Sequence, residues 1–296
     1  MKILVIGGTG TVGSATVKEL LARNAEVYVL TRDSEKATNM PEGVETVVGN
    51  ILDPKTVRSA FTGMDAVFMA NPVSTTETSE GLFAVNGARL AGLKKIVYMS
   101  IHDYDKALHL PHFGSKLSIE EAIKQSGIPY TFLRPNNFYQ NDIWFKDALL
   151  HQGVYIQPIG DVGISRVDVR DIAEAAAITL TTTGHEGKAI NVVGPKALTG
   201  QDTANMWSEA LGIPVSYFGN DMDAWENMMV QFMPDWMVFD FRLMFEHFQK
   251  VGLKATPEDL EKLTALLGHA PRSFGDYTRE AAAQWAVTPD SVVAES

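Results

Sequence analysis

The stretch Ile3-Leu4-Val5-Ile6-Gly7-Gly8-Thr9-Gly10-Thr11-Val12-Gly13 decides the fold of this chain. An apolar run precedes the glycines, and a stretch with apolar residues at near-helical spacing follows them as far as Leu21. Strand, glycine turn and helix in that order form the phosphate cradle of a dinucleotide-binding unit, because the glycines let the backbone approach a pyrophosphate and the helix start attracts the anion. An ordinary glycine-rich turn is the alternative. The residues predicted to bind the dinucleotide here are Gly7, Thr9, Gly10, Thr11, Val12 and Gly13.

Composition limits the class of protein. The 296 residues are 45% hydrophobic and 21% charged, which is typical of a soluble globular chain. The net charge of −11 argues against nonspecific binding of DNA or RNA. The chain has no cysteine, which excludes disulfides and thiol catalysis and fits a reducing compartment. We therefore expect a cytoplasmic protein without a signal peptide, a membrane partner or a nucleic-acid partner, and the sequence leaves a homodimer open.

Apolar, β-branched runs alternate with helical patterns through the first half of the chain. The predicted strands are Lys2–Gly7, Glu26–Leu30, Val44–Val48, Ala66–Ala70, Lys95–Met99 and Tyr130–Leu133. The predicted helices between them are Val12–Arg23, Pro54–Phe61, Glu77–Ala91 and Ser115–Ser126. Several strands are continuously apolar, as in a parallel sheet covered on both faces. The fold class predicted is α/β: a Rossmann-type, doubly wound parallel sheet with its ligand at the carboxyl ends of the strands.

The pattern becomes irregular beyond Arg134, where a helix is predicted at Val169–Leu180 and a strand at Ala189–Val193. The predicted domains are 1–150, to which 165–195 returns, and a smaller, mainly helical domain over 196–290. Met222–Phe248 holds six of the 12 methionines and five phenylalanines. We interpret this segment as the buried core of a helical subdomain, or as a mobile lid over an apolar acceptor or an association surface, and the two interpretations can overlap.

The residues after the second predicted strand bear on the choice of nicotinamide cofactor. The strand runs into Thr31-Arg32, and a guanidinium there suits a ribose 2′-phosphate, so we favour NADP(H) over NAD(H). Asp33 would serve NAD(H) if the turn were shifted by one residue, and a solvated Arg32 is the plain alternative. Further contacts are predicted from Asn50 to the adenine and from Ala70, Asn71 and Pro72 along the path to the nicotinamide, unless these residues only form turns.

Several stretches together resemble the NmrA-like branch of the atypical short-chain dehydrogenases/reductases. They are Gly7–Gly13, Lys94–Ser100, Lys116–Glu121, Gly127–Pro135, Val167–Ala173 and Gly268–Phe274. The resemblance implies a Rossmann-type domain, NADP(H) binding and a smaller carboxyl-terminal domain. The family includes NADPH-dependent quinone and triphenylmethane-dye reductases, and also regulators that bind the dinucleotide without catalysing a reaction.

The wider superfamily uses Tyr-x-x-x-Lys on a helix, in which the tyrosine donates a proton and the lysine holds the nicotinamide ribose. Lys116 matches the lysine, and His112 stands where the tyrosine would be. The missing tyrosine disfavours alcohol–ketone interconversion and sugar-nucleotide epimerase chemistry. We predict Lys116 as a catalytic and ribose-binding residue and His112 as a proton donor at neutral pH. The alternatives are a solvated helix lysine and a helix-start histidine.

Further residues follow the fifth and sixth strands. Ser100 is predicted to contact the cofactor and His102 and Tyr104 the acceptor. Asn137, Phe138 and Tyr139 are predicted to line the acceptor pocket, unless their loop packs only on its own domain. The histidines show no metal-site spacing, so no metal is expected. The sequence thus predicts an NADPH-dependent reductase of a planar, apolar small-molecule acceptor such as a quinone or a dye, and the alternative is a non-catalytic NADP(H)-binding regulator of a protein partner.

Overall fold

Seven parallel strands form one sheet in the order β3-β2-β1-β4-β5-β6-β8. The computed structural model describes residues 1–287. The strands of the sheet are β1 (Lys2–Ile6), β2 (Glu26–Thr31), β3 (Val44–Val48), β4 (Ala66–Met69), β5 (Lys95–Met99), β6 (Tyr130–Pro135) and β8 (Lys188–Val192), and a separate pair is β7 (Val154–Tyr155) with β9 (Ser216–Tyr217). The strand order reverses between β1 and β4, which is where Rossmann-type sheets bind ligands. The predicted doubly wound parallel sheet is confirmed.

Helices cover both faces of this sheet. The helices of the described residues are α1 (Thr11–Ala22), α2 (Ser34–Thr38), α3 (Pro54–Phe61), α4 (Glu77–Ala91), α5 (Pro111–Gln125), α6 (Val169–Thr181), α7 (Gly200–Leu211), α8 (Met222–Met229), α9 (Asp235–Val251), α10 (Pro257–Leu267) and α11 (Phe274–Val287). Of these, α7, α8, α9 and α11 lie outside the compact unit that holds the sheet. On one face, α3, α4 and α5 bury a cluster that includes Leu4, Val67 and Ile96. Alternate residues such as Val5 and Val97 are equally buried and face the other layer, where α1 and α6 pack together. The nearly complete apolarity of the central strands β1 and β4 follows from this double coverage.

Two helices near the site differ from the sequence prediction. Helix α5 begins at Pro111 rather than Ser115, because a proline at the first helical position has no N–H to lose and already has a helical φ. His112 therefore lies inside the helix. Helix α2 was not predicted, and the Asp33 carboxylate caps it by accepting hydrogen bonds from the N–H groups of Glu35 (2.9 Å) and Lys36 (3.1 Å).

The described chain divides into two units. The first contains Met1–Asn136, Val169–Val193 and Thr256–Pro271, and the second contains Asn137–Asp168, Gly194–Ala255 and the described residues from Arg272 onward. The sequence prediction placed a boundary at 150 and assigned all of 196–290 to the second domain. Helix α10 belongs to the first unit because it packs against β8 and α6. Residues 288–290 of the predicted second domain lie outside the described residues.

A buried ion pair organises the second unit. The guanidinium of Arg166 is fully buried and donates to both carboxylate oxygens of Asp142, at 2.6 and 3.1 Å. Asp142 also accepts from Trp207 Nε1 (2.9 Å) and Gln157 Nε2 (2.6 Å). Burial by itself would lower the pKa of Arg166, but the negative charge of Asp142, the hydrogen bonds to its carboxylate and the neighbouring Tyr155 hydroxyl together outweigh burial and raise that pKa. Arg166 therefore stays charged, and both carboxylate oxygens of Asp142 accept hydrogen bonds.

The Met- and aromatic-rich segment has a buried side and an exposed side. Trp225 of α8 packs edge-to-face on Phe245 of α9 with ring centroids 5.1 Å apart, and both are buried. The exposed large apolar side chains of the same segment are Val230, Phe232, Trp236 and Phe239. The buried side matches the interpretation as a helical core, and the exposed side leaves a lid or association surface as a prediction. Among residues 1–287, no helix combines the length and apolarity needed to cross a membrane.

Candidate cofactor site

The glycine turn between β1 and α1 leaves no room for side chains. A Cβ atom on Gly13 would lie 2.0 Å from the carbonyl oxygen of Gly7, and one on Gly7 would lie 2.3 Å from that of Ala70. Gly7 also has a φ of 79°, a left-handed conformation that favours glycine. Its carbonyl oxygen accepts a hydrogen bond of 2.9 Å from the N–H of Gly10. The backbone of the turn is thus closed against β4 and the first turn of α1, with Val12 buried beside Gly13.

The amino-terminal end of α1 is suited to an anion. Gly10 is the N-cap and has no side chain to accept hydrogen bonds from the first-turn N–H groups, and that turn holds no acidic residue. Gly10 and Thr11 are exposed, and Thr9 is half-buried. A phosphate group can therefore reach the N–H groups that the helix leaves without an intrahelical acceptor.

The loop after β2 holds an exposed arginine and a carboxylate with a structural role. Arg32 is exposed. Asp33 caps α2, and its backbone N–H donates to Thr31 Oγ1 at 3.2 Å. This cap weakens the alternative in which Asp33 accepts from a ribose hydroxyl, so the loop favours NADP(H). After β3, the exposed Asn50 side chain accepts from the N–H of Leu52 at 3.0 Å, as expected of a turn residue.

Two buried polar side chains lie at the carboxyl ends of adjacent strands. Asn71 and Ser100 are 3% and 2% exposed, and their side-chain polar atoms have no hydrogen-bond partner among the described residues. The β4–β5 register pairs Met69 with Tyr98, so its continuation places positions 71 and 100 side by side. A buried polar group without a partner costs about 1–3 kcal/mol. A bound ligand with polar groups would remove this cost, so the cradle and these side chains together fit a dinucleotide. Pro72, the next residue, is exposed.

One face of α5 carries three buried titratable residues at four-residue spacing: His112, Lys116 and Glu120. The Lys116 ammonium donates to Glu77 Oε1 at the start of α4, and it lies 5.7 Å from the ring centroid of Tyr98. Burial, reinforced by the negative charge of Glu77, raises the pKa of Tyr98 well above its usual value. Tyr98 is therefore no substitute for the acidic phenol that is missing at position 112.

Glu120, one turn after Lys116, forms a second buried pair. Its carboxylate accepts from Arg134 Nη2 at 2.7 Å and Arg134 Nε at 3.0 Å, and Tyr104 donates its hydroxyl to the same carboxylate at 3.1 Å. Burial and the charge of Glu120 raise the pKa of Tyr104 to about 12. Tyr104 is 5% exposed, and contact between Tyr104 and an acceptor stays a prediction.

His102 is held on the loop after β5 in a neutral state. It is 1% exposed, its Nδ1 lies 3.0 Å from Asn136 Nδ2, and its Nε2 lies 3.7 Å from Asp103 Oδ1. Burial lowers the pKa of His102 despite the nearby charges of Asp103 and Asp259. Because an amide N–H faces Nδ1, we assign the proton of the neutral ring to Nε2.

The predicted acceptor-binding residues after β6 lie in the second unit. Asn137 Oδ1 accepts from Arg166 Nε at 3.1 Å, and the carbonyl oxygen of Phe138 accepts from Arg166 Nη2 at 2.7 Å. Tyr139 is 1% exposed and stacks on Tyr277 with centroids 5.6 Å apart. The structure thus uses these residues to hold Arg166 and the core of the second unit. Their role in an acceptor pocket stays a prediction.

One group of three potential metal ligands comes together within the described part of the chain: Asp171, Glu174 and His269. His269 Nε2 lies 3.1 Å from Glu174 Oε2, and its Nδ1 lies 2.8 Å from the carbonyl oxygen of Ala270. Both ring nitrogens thus have protein neighbours at hydrogen-bond distance, and the residues are assigned no metal role.

The sequence model of the NmrA-like family matches residues 1–277. The chain belongs to the NmrA-like family. One relative of this NmrA-like protein is an NAD(P)H azoreductase from Xenophilus azovorans, which is 30% identical over 95% of this chain and 98% of the relative. Another is a (4-alkanoyl-5-oxo-2,5-dihydrofuran-3-yl)methyl phosphate reductase from Streptomyces griseus, which is 32% identical over 96% of this chain and 99% of the relative. A crystal structure of the Citrobacter sp. triphenylmethane reductase complexed with NADP(H) is similar with a TM-score of 0.84 and 26% identity, over 95% of this chain and 99% of that one. The resemblance stated from the motifs is confirmed.

Proposed function

We propose that this NmrA-like protein is an NADPH-dependent reductase that transfers hydride to an electron-poor, planar conjugated acceptor such as a quinone or a dye. The observation that carries the proposal is the glycine cradle, in which Gly7 and Gly13 leave no space for any side chain. The named reactions of the relatives support the acceptor class. Azo compounds, triphenylmethane dyes and conjugated furanones are all electron-poor π systems that accept a hydride equivalent.

The residues that would hold NADPH all belong to the first unit. The backbone from Gly7 to Gly13 would bind the pyrophosphate, Arg32 the 2′-phosphate, and Lys116 the nicotinamide ribose. Asn71 and Ser100 would hydrogen-bond to the nicotinamide end. The reduced nicotinamide supplies the hydride, and the protein supplies its position.

The residues of α5 determine which proton donors the protein can offer to the reduced acceptor. The tyrosine is absent, and the Lys116 ammonium is engaged by Glu77, so α5 offers no Tyr–Lys pair to donate a proton. A cationic triphenylmethane dye becomes neutral on receiving a hydride and needs no proton. A quinone becomes a hydroquinone anion that water can protonate. His112, 6% exposed on the same helix face, remains the proposed donor for acceptors that require one.

Incubation with NADPH and a panel of quinones and cationic dyes tests the proposal. We expect the absorbance of the reduced nicotinamide to fall only when protein and acceptor are both present, and Gly10→Val to abolish turnover because its side chain would crowd the pyrophosphate. Tight NADPH binding without oxidation by any acceptor would instead support the non-catalytic regulator. The small-molecule acceptor is the proposed partner. The cytoplasmic location, a homodimer and the absence of nucleic-acid binding stay predictions.

A further inference from the structure

We propose that Glu77 is a positioning residue for the cofactor, acting through Lys116. This inference rests on the proposed function, because it assigns Lys116 to the nicotinamide ribose. Glu77 lies in the first turn of α4, 39 residues before Lys116. It is not among the site residues predicted from the sequence.

The pair is isolated from solvent. The side chains of Lys116 and Glu77 are 5% and 0% exposed, and the ammonium donates directly to Glu77 Oε1. A lysine has four rotatable side-chain bonds, and its ammonium would otherwise sample many positions. The carboxylate fixes one of them. It also supplies the charge without which a buried ammonium is strongly disfavoured.

The neighbouring charges do not duplicate this role. Glu120, one turn further along α5, is engaged by Arg134 and Tyr104. Glu80, one turn further along α4, accepts from Thr76 Oγ1 at 2.9 Å. Glu77 is thus the carboxylate that holds the ammonium, and Glu80 is a matched buried glutamate on the same helix.

Hydrogen bonding at the ribose follows from this arrangement. An ammonium held by one carboxylate retains further N–H donors. A ribose diol can accept from those donors only if the ammonium stays where Glu77 holds it. Glu77→Gln keeps the shape of the side chain and removes its charge. It should therefore lower the affinity for ligands that carry the nicotinamide ribose and leave the affinity for ligands that lack it unchanged.

The experiment compares two ligands by isothermal titration. NADP⁺ contains the nicotinamide ribose, whereas adenosine 2′,5′-bisphosphate has only the adenosine end with its 2′-phosphate. We expect Glu77→Gln to bind NADP⁺ roughly ten- to hundredfold more weakly than wild type, as for the loss of a charge-assisted contact, and to bind the bisphosphate within about twofold. Glu80→Gln should bind both ligands like wild type.

A Lys116→Met variant and the Glu77→Gln/Lys116→Met double variant complete the cycle. If Glu77 acts through Lys116, the double variant should bind NADP⁺ no more weakly than Lys116→Met alone. The double variant also removes both charges, which tests the inference even if Glu77→Gln alone fails to fold. Three results would each overturn the inference. Glu77→Gln could weaken the binding of both ligands equally, it could leave the NADP⁺ affinity unchanged, or the losses of NADP⁺ affinity in the two single variants could add fully in the double variant. Wild-type protein that binds neither ligand would overturn the proposed function itself.

Discussion

Alanine at position 13 perturbs the cradle by a single methyl group. Its Cβ would lie 2.0 Å from the Gly7 carbonyl oxygen, whereas Cβ atoms essentially never come closer than 3.0 Å to such atoms, so the backbone must move by about 1 Å. That movement breaks or lengthens the bond of 2.9 Å from the Gly10 N–H to the same oxygen. Overpacking costs about 1–3 kcal/mol and the lost hydrogen bond about 0.5–1.5 kcal/mol, so the free energy of unfolding should fall by about 2–4 kcal/mol.

Cofactor binding should weaken with the same substitution. The N–H groups at the start of α1 are displaced, and a weakened charge-assisted hydrogen bond of about 1.5–3 kcal/mol corresponds to a Kd for NADPH that rises roughly ten- to hundredfold. Denaturant unfolding followed by circular dichroism gives the stability, and a fluorescence titration gives the Kd. Gly10→Ala is the matched control, because its Cβ meets the Gly7 oxygen at 3.3 Å and its stability should stay within about 1 kcal/mol of wild type. Equal stability of the two variants would refute the steric reasoning.

Three further changes have expected outcomes. Arg32→Ala should raise the Kd for NADPH roughly ten- to hundredfold and leave that for NADH unchanged, and parallel titrations showing equal losses would contradict the 2′-phosphate assignment. Asp142→Asn leaves the buried Arg166 charge without its partner, so denaturant unfolding should show a loss of about 3–5 kcal/mol, while the exposed Asp147→Asn should stay near wild type. The pKa of His102 is lower in the folded chain than its usual value of 6.5. As the pH falls below 6.5, the His102 ring is therefore protonated in the unfolded chain before it is protonated in the folded chain, so the free energy of unfolding should decrease. His102→Gln should remove part of that decrease, and an identical pH profile of the melting temperature for this variant would show that His102 does not cause it.

The sheet and the cradle could be predicted because their signals are local. Strand β1, the glycines and helix α1 are consecutive in the sequence, and so the pattern of apolar residues and glycines reports one continuous piece of structure. The continuous apolarity of β4 and β5 likewise reports burial on both faces. Helix α5 was placed four residues late because its first turn, from Pro111 to Gly114, carries a proline and a glycine that read as a turn.

The remainder of the site depends on contacts between distant residues. Glu77 meets Lys116 across 39 residues, and an acidic residue in the first turn of a helix is an ordinary feature of helix starts. Tyr139 follows β6, and its packing on Tyr277, far along the chain, has no local signal in the sequence; its place in an acceptor pocket stays a prediction. The return of α10 to the first unit has no local signal either, since it depends on packing against β8 and α6.

Transfer of an isotopic label tests hydride transfer most directly. NADPH carrying deuterium at the transferable C4 position is incubated with the protein and a cationic triphenylmethane dye, and the colourless product is analysed by mass spectrometry. Direct transfer predicts one deuterium per product molecule at the central carbon, with one NADPH consumed for each dye reduced. Product without the label, or no oxidation of bound NADPH by any acceptor, would contradict the assignment of this NmrA-like protein as a hydride-transferring reductase.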